Sequence, residues 1–254
     1  MLQEIDHKVQ QLMWDVQKRT LDRMKQSYDV NLKTSYKDLV TTVDKENERY
    51  LNQRLREIDP DAKIISEEGY GDQVNDLKGH VFIVDPIDGT MNFVMQHCNF
   101  AIMIALYVDG EPTYGYIMDV MNDKLYHGGN GEGVFVNNHQ LNTPANNSLH
   151  DSLMVLNAGL TLDGGHNVRE VGKQARGLRM YGSAGIEMIY VITGRIGGYI
   201  SYLKPWDLAA GMVLAFDLGL VVKGIVVQQV NVLSSNLVLV ATKQVASDVL
   251  ELVD

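Results

Sequence analysis

The sequence of 254 residues predicts a layered α/β fold, and three observations support that class. Amphipathic helical patterns occupy the first 60 residues, short apolar runs separated by turn residues follow, and helical and strand patterns alternate after residue 150. No flexible linker, internal repeat or low-complexity tract separates these regions. We therefore predict a single domain over residues 1–254, with an α+β half over about 1–145 and an α/β half over about 146–254.

Two amphipathic helices are predicted in the N-terminal half. The first covers residues 3 to about 28 and repeats its apolar residues at helical spacing. A short β-branched stretch at 39–43 precedes the second helix, which covers 44–58 and has Asp44 at its start as a possible N-cap. Both helices are expected to bury one apolar face, and a short apolar run at 62–65 follows them.

Strands dominate the middle of the chain. Residues 81–84 form a continuous apolar run, typical of a buried strand, that stops at Asp85. Further apolar runs between turn signals predict an antiparallel meander, and they cover 101–108, 113–118, 125–127 and 133–136.

Helices and strands alternate in the C-terminal half. The predicted strands lie near 153–156, 198–203 and 237–241. The predicted helices lie near 167–175, 183–195 and 205–218, and a last one begins at about 244.

Composition excludes several classes of protein. The chain has 22 Lys and Arg against 32 Asp and Glu, so its net charge of −10 lacks the basic surface that binds nucleic acid or anionic membranes. A single cysteine, Cys98, excludes an internal disulfide, and we expect it to be a buried structural thiol rather than a nucleophile. Without a signal peptide or a long apolar run, we expect a cytoplasmic protein that contacts neither membrane nor nucleic acid.

The strongest motif is DPIDGT, which directly follows the predicted strand at 81–84. Asp85 and Asp88 can converge on one point, and carboxylate oxygens are ligands that Mg²⁺ prefers. Gly89 permits a positive φ, and the helix that begins near Thr90 would present free N–H groups to a phosphate. On these residues alone, a tight turn with two solvated aspartates remains the alternative.

Three weaker motifs carry further carboxylates. Each has an ordinary structural explanation: Glu67-Glu68 as a solvated loop, Asp207 in PWDLAAG as an acid in the first helical turn, and Asp44 in DLVTTVD as an N-cap. None of the three would indicate a function by itself.

Together, DLVTTVD, EEG, DPIDGTMNF and PWDLAAG occur in an order that resembles the inositol monophosphatase family. Gly182-Ser183-Ala184 lies between the last two motifs, where that family also begins a helix. The resemblance covers residues 33–211 and implies a five-layer αβαβα sandwich. It also implies a Mg²⁺-dependent phosphomonoesterase that is a homodimer and is inhibited by Li⁺.

The resemblance also implies roles for individual residues. The residues that match ligands of two or three Mg²⁺ ions are Glu67, Asp85, Ile87 through its carbonyl, Asp88 and Asp207. The residues that match catalytic positions are Asp44 and Thr90, which orient the attacking water, and Glu67. The residues that match phosphate or substrate contacts are Asp88, Gly89, Thr90, Ala184, Asp207 and Lys33, the last in a loop that closes over the site.

The substrate is less constrained than the chemistry. Inositol 1-phosphate is the leading expectation, but animal relatives have an inositol-binding glutamate near Ser201, and this chain does not. Alternatives in the same superfamily are fructose 1,6-bisphosphate, a 3′-phosphonucleotide and NADP. Lys204, or Arg176 with Arg179, could then bind a second phosphate, although ordinary surface charge explains them better. A metal-binding regulatory protein on this fold is the alternative outside the enzyme class.

Overall fold

The computed structural model of the protein describes residues 2–227 and 229–253, so both ends of the predicted domain, residues 1 and 254, lie outside them. The described residues form two large β-sheets, a short hairpin and eight α-helices. The helices are α1 (Leu2–Met24), α2 (Thr42–Ile58), α3 (Thr90–Gln96), α4 (Ala158–Asp163), α5 (Val168–Gln174), α6 (Ala184–Ile192), α7 (Pro205–Asp217) and α8 (Lys243–Leu250).

The strands belong to three groups. The hairpin pairs β1 (Val30–Leu32) with β2 (Leu39–Thr41). The first sheet contains β3 (Lys63–Ser66), β4 (His80–Asp88), β5 (Ala101–Val108), β6 (Glu111–Asp119), β7 (Lys124–Gly129), β8 (Val134–Val136) and β9 (His139–Gln140), in that spatial order. The second sheet contains β10 (Leu153–Leu156), β11 (Gly177–Arg179), β12 (Gly198–Leu203), β13 (Val221–Gly224) and β14 (Asn236–Ala241), in the spatial order β11-β10-β12-β14-β13.

Five layers result from the way the helices cover the sheets. Helices α1 and α2 pack on one face of the first sheet, and α6 and α7 pack between the two sheets. Helices α5 and α8 contribute to the core on the outer face of the second sheet. Alternate residues of each central strand therefore face different cores, as the two-residue period of a strand requires. The predicted αβαβα sandwich is confirmed.

Helix α7 can pack close against the first sheet because the residue that faces it on β6, Gly115, has no side chain. A Cβ atom on Gly115 of β6 would lie 2.5 Å from the carbonyl oxygen of Ala210, closer than any side chain tolerates. The close packing holds the middle of α7 against the sheet, about one turn after Asp207.

Several sequence expectations need correction. The first helix ends at Met24 rather than near 28, and residues 30–32 pair with 39–41 as a hairpin that was not predicted. Cys98 is half-buried rather than buried. It lies in a surface turn between α3 and β5 whose flanking residues, His97 and Asn99, have positive φ, and the buried apolar sequence begins only after it.

The short elements of the C-terminal half were also missed. Strands β11 and β13 and helix α4 have three to six residues each, too few for a periodic pattern to identify them. Within the described residues, the helices include none that combines the length and the apolar character needed to cross a lipid bilayer.

Candidate active site

A bulge in β4 brings Asp85 and Asp88 together. The prediction that the strand stops at Asp85 is wrong, because β4 continues to Asp88. Its pairing with β5 shifts in this region, so that Asp85 lies opposite Met103 and Asp88 lies opposite Ala101. Residues three apart in a regular strand face opposite sides. One extra residue restores a common side for both carboxylates, and Pro86, which has no N–H to donate, suits such a bulge.

Asp207 reaches the same place from the second half of the chain. Pro205 occupies the first position of α7, as predicted, and the Lys204 N–H donates to Asp207 Oδ2 at 2.8 Å. One oxygen each of Asp85, Asp88 and Asp207 lies within 4.8 Å of the others. The structure therefore brings together three of the predicted metal-binding residues.

This cluster has the electrostatics of a cation site. Burial and the neighbouring carboxylates raise the pKa of Asp85 well above its ordinary range. Burial likewise raises the pKa of Asp88 to about 6 and that of Asp207 to about 7, and nearby carboxylates add to both effects. Three hard oxygen ligands that repel one another in a buried place fit a divalent cation such as Mg²⁺.

Asp88 is fastened to the layer of helices between the sheets. Ser183, the N-cap of α6, donates its hydroxyl to Asp88 Oδ2, and the N–H groups of Ala184 and Gly185 donate to the same carboxylate at 3.0 and 2.7 Å. The glycine-rich start of α6 was expected, but the partner of Ser183 was not. Gly89 makes room for this contact, because its φ is +84° and a Cβ there would lie 2.8 Å from Ser183 Cβ.

Asp44 is not the N-cap that its spacing suggested. Thr41 caps α2, and Asp44 is the third helical residue of a capping box, accepting from the Thr41 N–H at 2.9 Å. Its other oxygen, Oδ1, accepts the hydroxyl of Thr90 at 2.8 Å, so the predicted pair is in contact. Burial raises the pKa of Asp44, and the hydrogen bonds from Thr41 and Thr90 oppose that rise.

Glu67 lies beside the cluster and faces Lys33. The Lys33 ammonium lies 2.9 Å from Glu67 Oε1 and also pairs with Glu68. Burial lowers the pKa of Lys33, but the two glutamates outweigh burial and raise it. Burial raises the pKa of Glu68 to about 7 despite its bond to Lys33.

Glu48 positions this glutamate pair and was missed by sequence reasoning. Its buried carboxylate accepts from the Ser66 hydroxyl at 2.7 Å and from the N–H groups of Glu68 and Tyr70 at 2.6 and 2.7 Å. The available signal was its position four residues after Asp44, on the same face of α2.

Two adjoining cavities meet at these residues. We call the first the acidic cavity; it has a volume of about 200 Å³, and its lining includes Glu67, Asp85, Ile87, Asp88, Gly89, Thr90 and Asp207. We call the second the side cavity; it has a volume of about 320 Å³, and its lining includes Asn157, Ala184, Glu187, Tyr199, Ser201 and Tyr202. Asp88, Gly182 and Asp207 line both cavities, so the two form one continuous site.

The basic residues considered for a second phosphate have other partners. Arg176 pairs with Asp151 at 2.6 Å, and Arg179 donates to the carbonyl of the preceding residue at 2.7 Å. The Lys204 ammonium lies 5.5 Å from the centre of the Trp206 ring. These contacts favour the interpretation of all three as surface charge.

Known proteins share both the sequence pattern and the fold. The model of the inositol monophosphatase family matches residues 1–254. An inositol-1-monophosphatase of Bacillus subtilis is 39% identical over 221 residues, which are 85% of this chain and 83% of that protein. A fructose-1,6-bisphosphatase/inositol-1-monophosphatase of Thermotoga maritima is 33% identical over 213 residues, 83% of this chain and 80% of its own.

A solved structure agrees over nearly the whole chain. The crystal structure of an IMPase/NADP phosphatase complexed with Mg²⁺ and phosphate superposes with a TM-score of 0.91 at 28% identity, covering 99% of this chain and 95% of that one. The predicted fold, enzyme class and metal requirement agree with these likenesses and with the carboxylate cluster. The chain belongs to the inositol monophosphatase family, whose members are phosphoric monoester hydrolases.

Proposed function

We propose that this protein hydrolyses the phosphate monoesters of small alcohols with Mg²⁺, and that inositol 1-phosphate is its reference substrate. The observation that carries the proposal is the cluster of Asp85, Asp88 and Asp207 beside the hydrogen-bonded pair of Thr90 and Asp44. The cluster supplies a place for cations and the pair supplies a place for a water molecule, which together suffice for hydrolysis without a protein nucleophile.

In this proposal, two or three Mg²⁺ ions are held by Glu67, Asp85, the carbonyl of Ile87, Asp88 and Asp207. Bound Mg²⁺ neutralises these acids, so that a phosphate dianion can enter, and polarises the ester. Glu67 exchanges its contact with Lys33 for a cation, since both ligands compete for the same carboxylate.

Thr90 and Asp44 would activate the water. The Thr90 hydroxyl donates to Asp44, so its oxygen is free to accept a proton from a water molecule in the acidic cavity. Asp44, whose pKa is raised by burial, then receives the proton through Thr90 as the water attacks phosphorus and the bond from phosphorus to the alcohol oxygen breaks. The departing alcohol oxygen would take a proton from a second water molecule. The N–H groups of Gly89 and Thr90, at the start of α3, would hold the phosphate oxygens.

The alcohol would occupy the side cavity next to Ala184 and Asp88. The side cavity opens directly from the acidic cavity, so an ester bound at Thr90 places its alcohol there. Lys33 would cover the phosphate from the hairpin loop between β1 and β2.

Phosphate release tests the proposal directly. We expect purified protein to release phosphate from inositol 1-phosphate with Mg²⁺ and to stop when EDTA is added in excess. Binding of Mg²⁺ without hydrolysis of any phosphate ester would contradict the proposal and favour a regulatory protein on this fold.

A substrate with two phosphates, or NADP, is the second candidate. It is supported by the similarity of this chain to a fructose-1,6-bisphosphatase/inositol-1-monophosphatase and to an IMPase/NADP phosphatase. Values of kcat/KM for inositol 1-phosphate, fructose 1,6-bisphosphate and NADP decide between the two candidates, and a clear preference for either of the latter would overturn the first.

We also propose that residues 1–254 act as one domain and assemble as a homodimer. The single domain is supported by α6 and α7, which pack between both sheets. Sedimentation of the purified protein tests the dimer, and a monomer at micromolar concentration would contradict it.

A further inference from the structure

The side cavity has a polar floor built from four residues of three elements. Asn157 follows β10, Glu187 lies on α6, and Tyr199 and Ser201 lie two residues apart on the same face of β12. Glu187, Tyr199 and Ser201 are buried, with exposed fractions of 6%, 3% and 6%. Buried polar groups of this kind need partners, and here they find one another.

Hydrogen bonds hold the side chains of the floor in place. Asn157 Nδ2 donates to Ser201 Oγ at 3.2 Å, and the Ser201 hydroxyl donates to the Tyr202 carbonyl at 3.3 Å. Tyr199, which lies beside Ser201, is hydrogen-bonded to Glu187. Above its pKa of about 7 the Glu187 carboxylate only accepts hydrogen bonds, so Tyr199 then commits its single proton to Glu187. The phenol oxygen is then left as an acceptor, and a bond to an anion strengthens that role.

Glu187 also holds the turn between the two cavities. Its Oε1 accepts the N–H groups of Tyr181 and Gly182 at 3.0 and 3.1 Å. Gly182 lines both cavities, and the next residue, Ser183, donates to Asp88. One carboxylate therefore fixes both the floor of the side cavity and the turn that anchors Asp88.

We propose that Tyr199 is a specificity-determining residue that accepts a hydroxyl of a neutral polyol, and that Glu187 is the positioning residue that orients it. This inference rests on the proposed function, because it concerns the alcohol part of the same substrate. Above the pKa of Glu187, which burial raises to about 7, the buried carboxylate beneath Tyr199 repels a second phosphate, so the side cavity then selects polyol monophosphates over bisphosphates. It thereby supplies the hydroxyl recognition that the missing glutamate near Ser201 would give.

Paired substrates test the role of Tyr199. We expect Tyr199→Phe to lower kcat/KM for inositol 1-phosphate by about 5- to 30-fold, mainly through KM, as loss of one buried hydrogen bond does. p-Nitrophenyl phosphate carries no alcohol hydroxyl, so its kcat/KM should fall by a much smaller factor. Tyr107→Phe is the matched control, because Tyr107 is equally buried, lies outside both cavities, and its hydroxyl has no hydrogen-bond partner among the described residues.

Glu187→Gln tests the positioning role. Glutamine offers one acceptor oxygen where the carboxylate offers two, so it cannot hold the 181–182 turn and orient Tyr199 as before. We expect KM for inositol 1-phosphate to rise, and the ratio of kcat/KM for fructose 1,6-bisphosphate to that for inositol 1-phosphate to increase. If Glu187→Gln does not fold, as judged by thermal unfolding, Tyr199→Phe still decides the question, since it keeps the ring.

The outcomes separate this inference from the proposed function. Wild-type protein that hydrolyses neither phosphate monoester contradicts both. This inference alone is overturned if wild-type protein hydrolyses both substrates and Tyr199→Phe lowers kcat/KM equally for the two. It is also overturned if Tyr199→Phe has the same kcat/KM values as Tyr107→Phe.

Discussion

The acidic cavity and the side cavity share Asp88 and are built by different means. The acidic cavity places its carboxylates with backbone devices: the bulge in β4 and the first turn of α7. The side cavity places hydroxyls and one buried carboxylate through contacts between side chains of separate elements. The difference teaches that local backbone geometry orients the carboxylates of the reactive part, which helix α6 then anchors at Asp88, whereas the specific part depends entirely on how the layers pack.

We expect the largest loss of activity from a substitution in the acidic cavity that leaves the floor of the side cavity unchanged. Asp88→Asn removes one anionic oxygen from the cluster, so kcat for phosphate release should fall by about 100-fold or more. Asp119→Asn is the control, because Asp119 is also buried and hydrogen-bonded but lies outside both cavities. Full activity of Asp88→Asn in a phosphate-release assay would show that the cluster does not hold the cation.

Cation binding should also stabilise the fold, and only through the acidic cavity. A ligand at about 100 times its Kd adds about 2.7 kcal/mol, which raises Tm by roughly 5 to 10 °C in a chain of this size. We expect Mg²⁺ to raise Tm by that amount in wild type and in Tyr199→Phe, measured by calorimetry. An equal rise in Asp88→Asn would place the cation elsewhere.

The pH dependence of stability without Mg²⁺ should distinguish the carboxylate cluster from the floor of the side cavity. Burial raises the pKa of Asp207 and that of Glu187 to about 7, from ordinary values of about 4. The folded protein therefore binds more protons than the unfolded chain between about pH 4 and pH 7, and its stability falls as pH rises through that range.

Two substitutions show how much Asp207 and Glu187 each contribute to this pH dependence of stability. Asp207→Asn and Glu187→Gln should each reduce the fall in the free energy of unfolding, measured in urea. Added Mg²⁺ should reverse the contribution of Asp207 and leave that of Glu187. A metal-free protein whose stability does not change between pH 4 and pH 7 would contradict both assignments.

The smallest effect concerns Lys33, which competes with a cation for Glu67. Lys33→Met removes a positive charge from the edge of the acidic cavity, so the Mg²⁺ concentration for half-maximal activity should fall by about 2- to 5-fold. Lys25→Met, which removes an exposed lysine paired with Asp22, should not change it. A higher requirement for Mg²⁺ in Lys33→Met would mean that Lys33 assists cation binding.

The sequence indicates the centre of the acidic cavity because that part comes from one contiguous motif. Asp85, Asp88, Gly89 and Thr90 lie within six residues, and the structure places them together as expected. The sequence did not reveal that the strand continues past Asp85, because a bulge depends on the pairing of the neighbouring strand. The layers were predictable from long amphipathic and apolar patterns, whereas the short strands β11 and β13 were not.

The supporting residues were missed for a physical reason. Glu48 contacts residues 18 to 22 positions away, and Ser183 contacts Asp88 across 95 positions. Such contacts depend on how distant elements pack, which local sequence does not show. A buried glutamate in a helix has the same local sequence features as an exposed one. Asp44 contacts Thr90, as the family resemblance implied, but its predicted role as N-cap was wrong because Thr41 caps the helix instead.

The contacts that fasten Asp88 to α6 also have a consequence for folding kinetics. They span 95 to 97 residues of chain, and contacts of such long sequence separation are slow to form. The first sheet can assemble from neighbouring strands, yet Asp88 stays without its anchors until α6 is in place. On refolding, catalytic activity should therefore return later than secondary structure does, since the site is completed only when the last layers join.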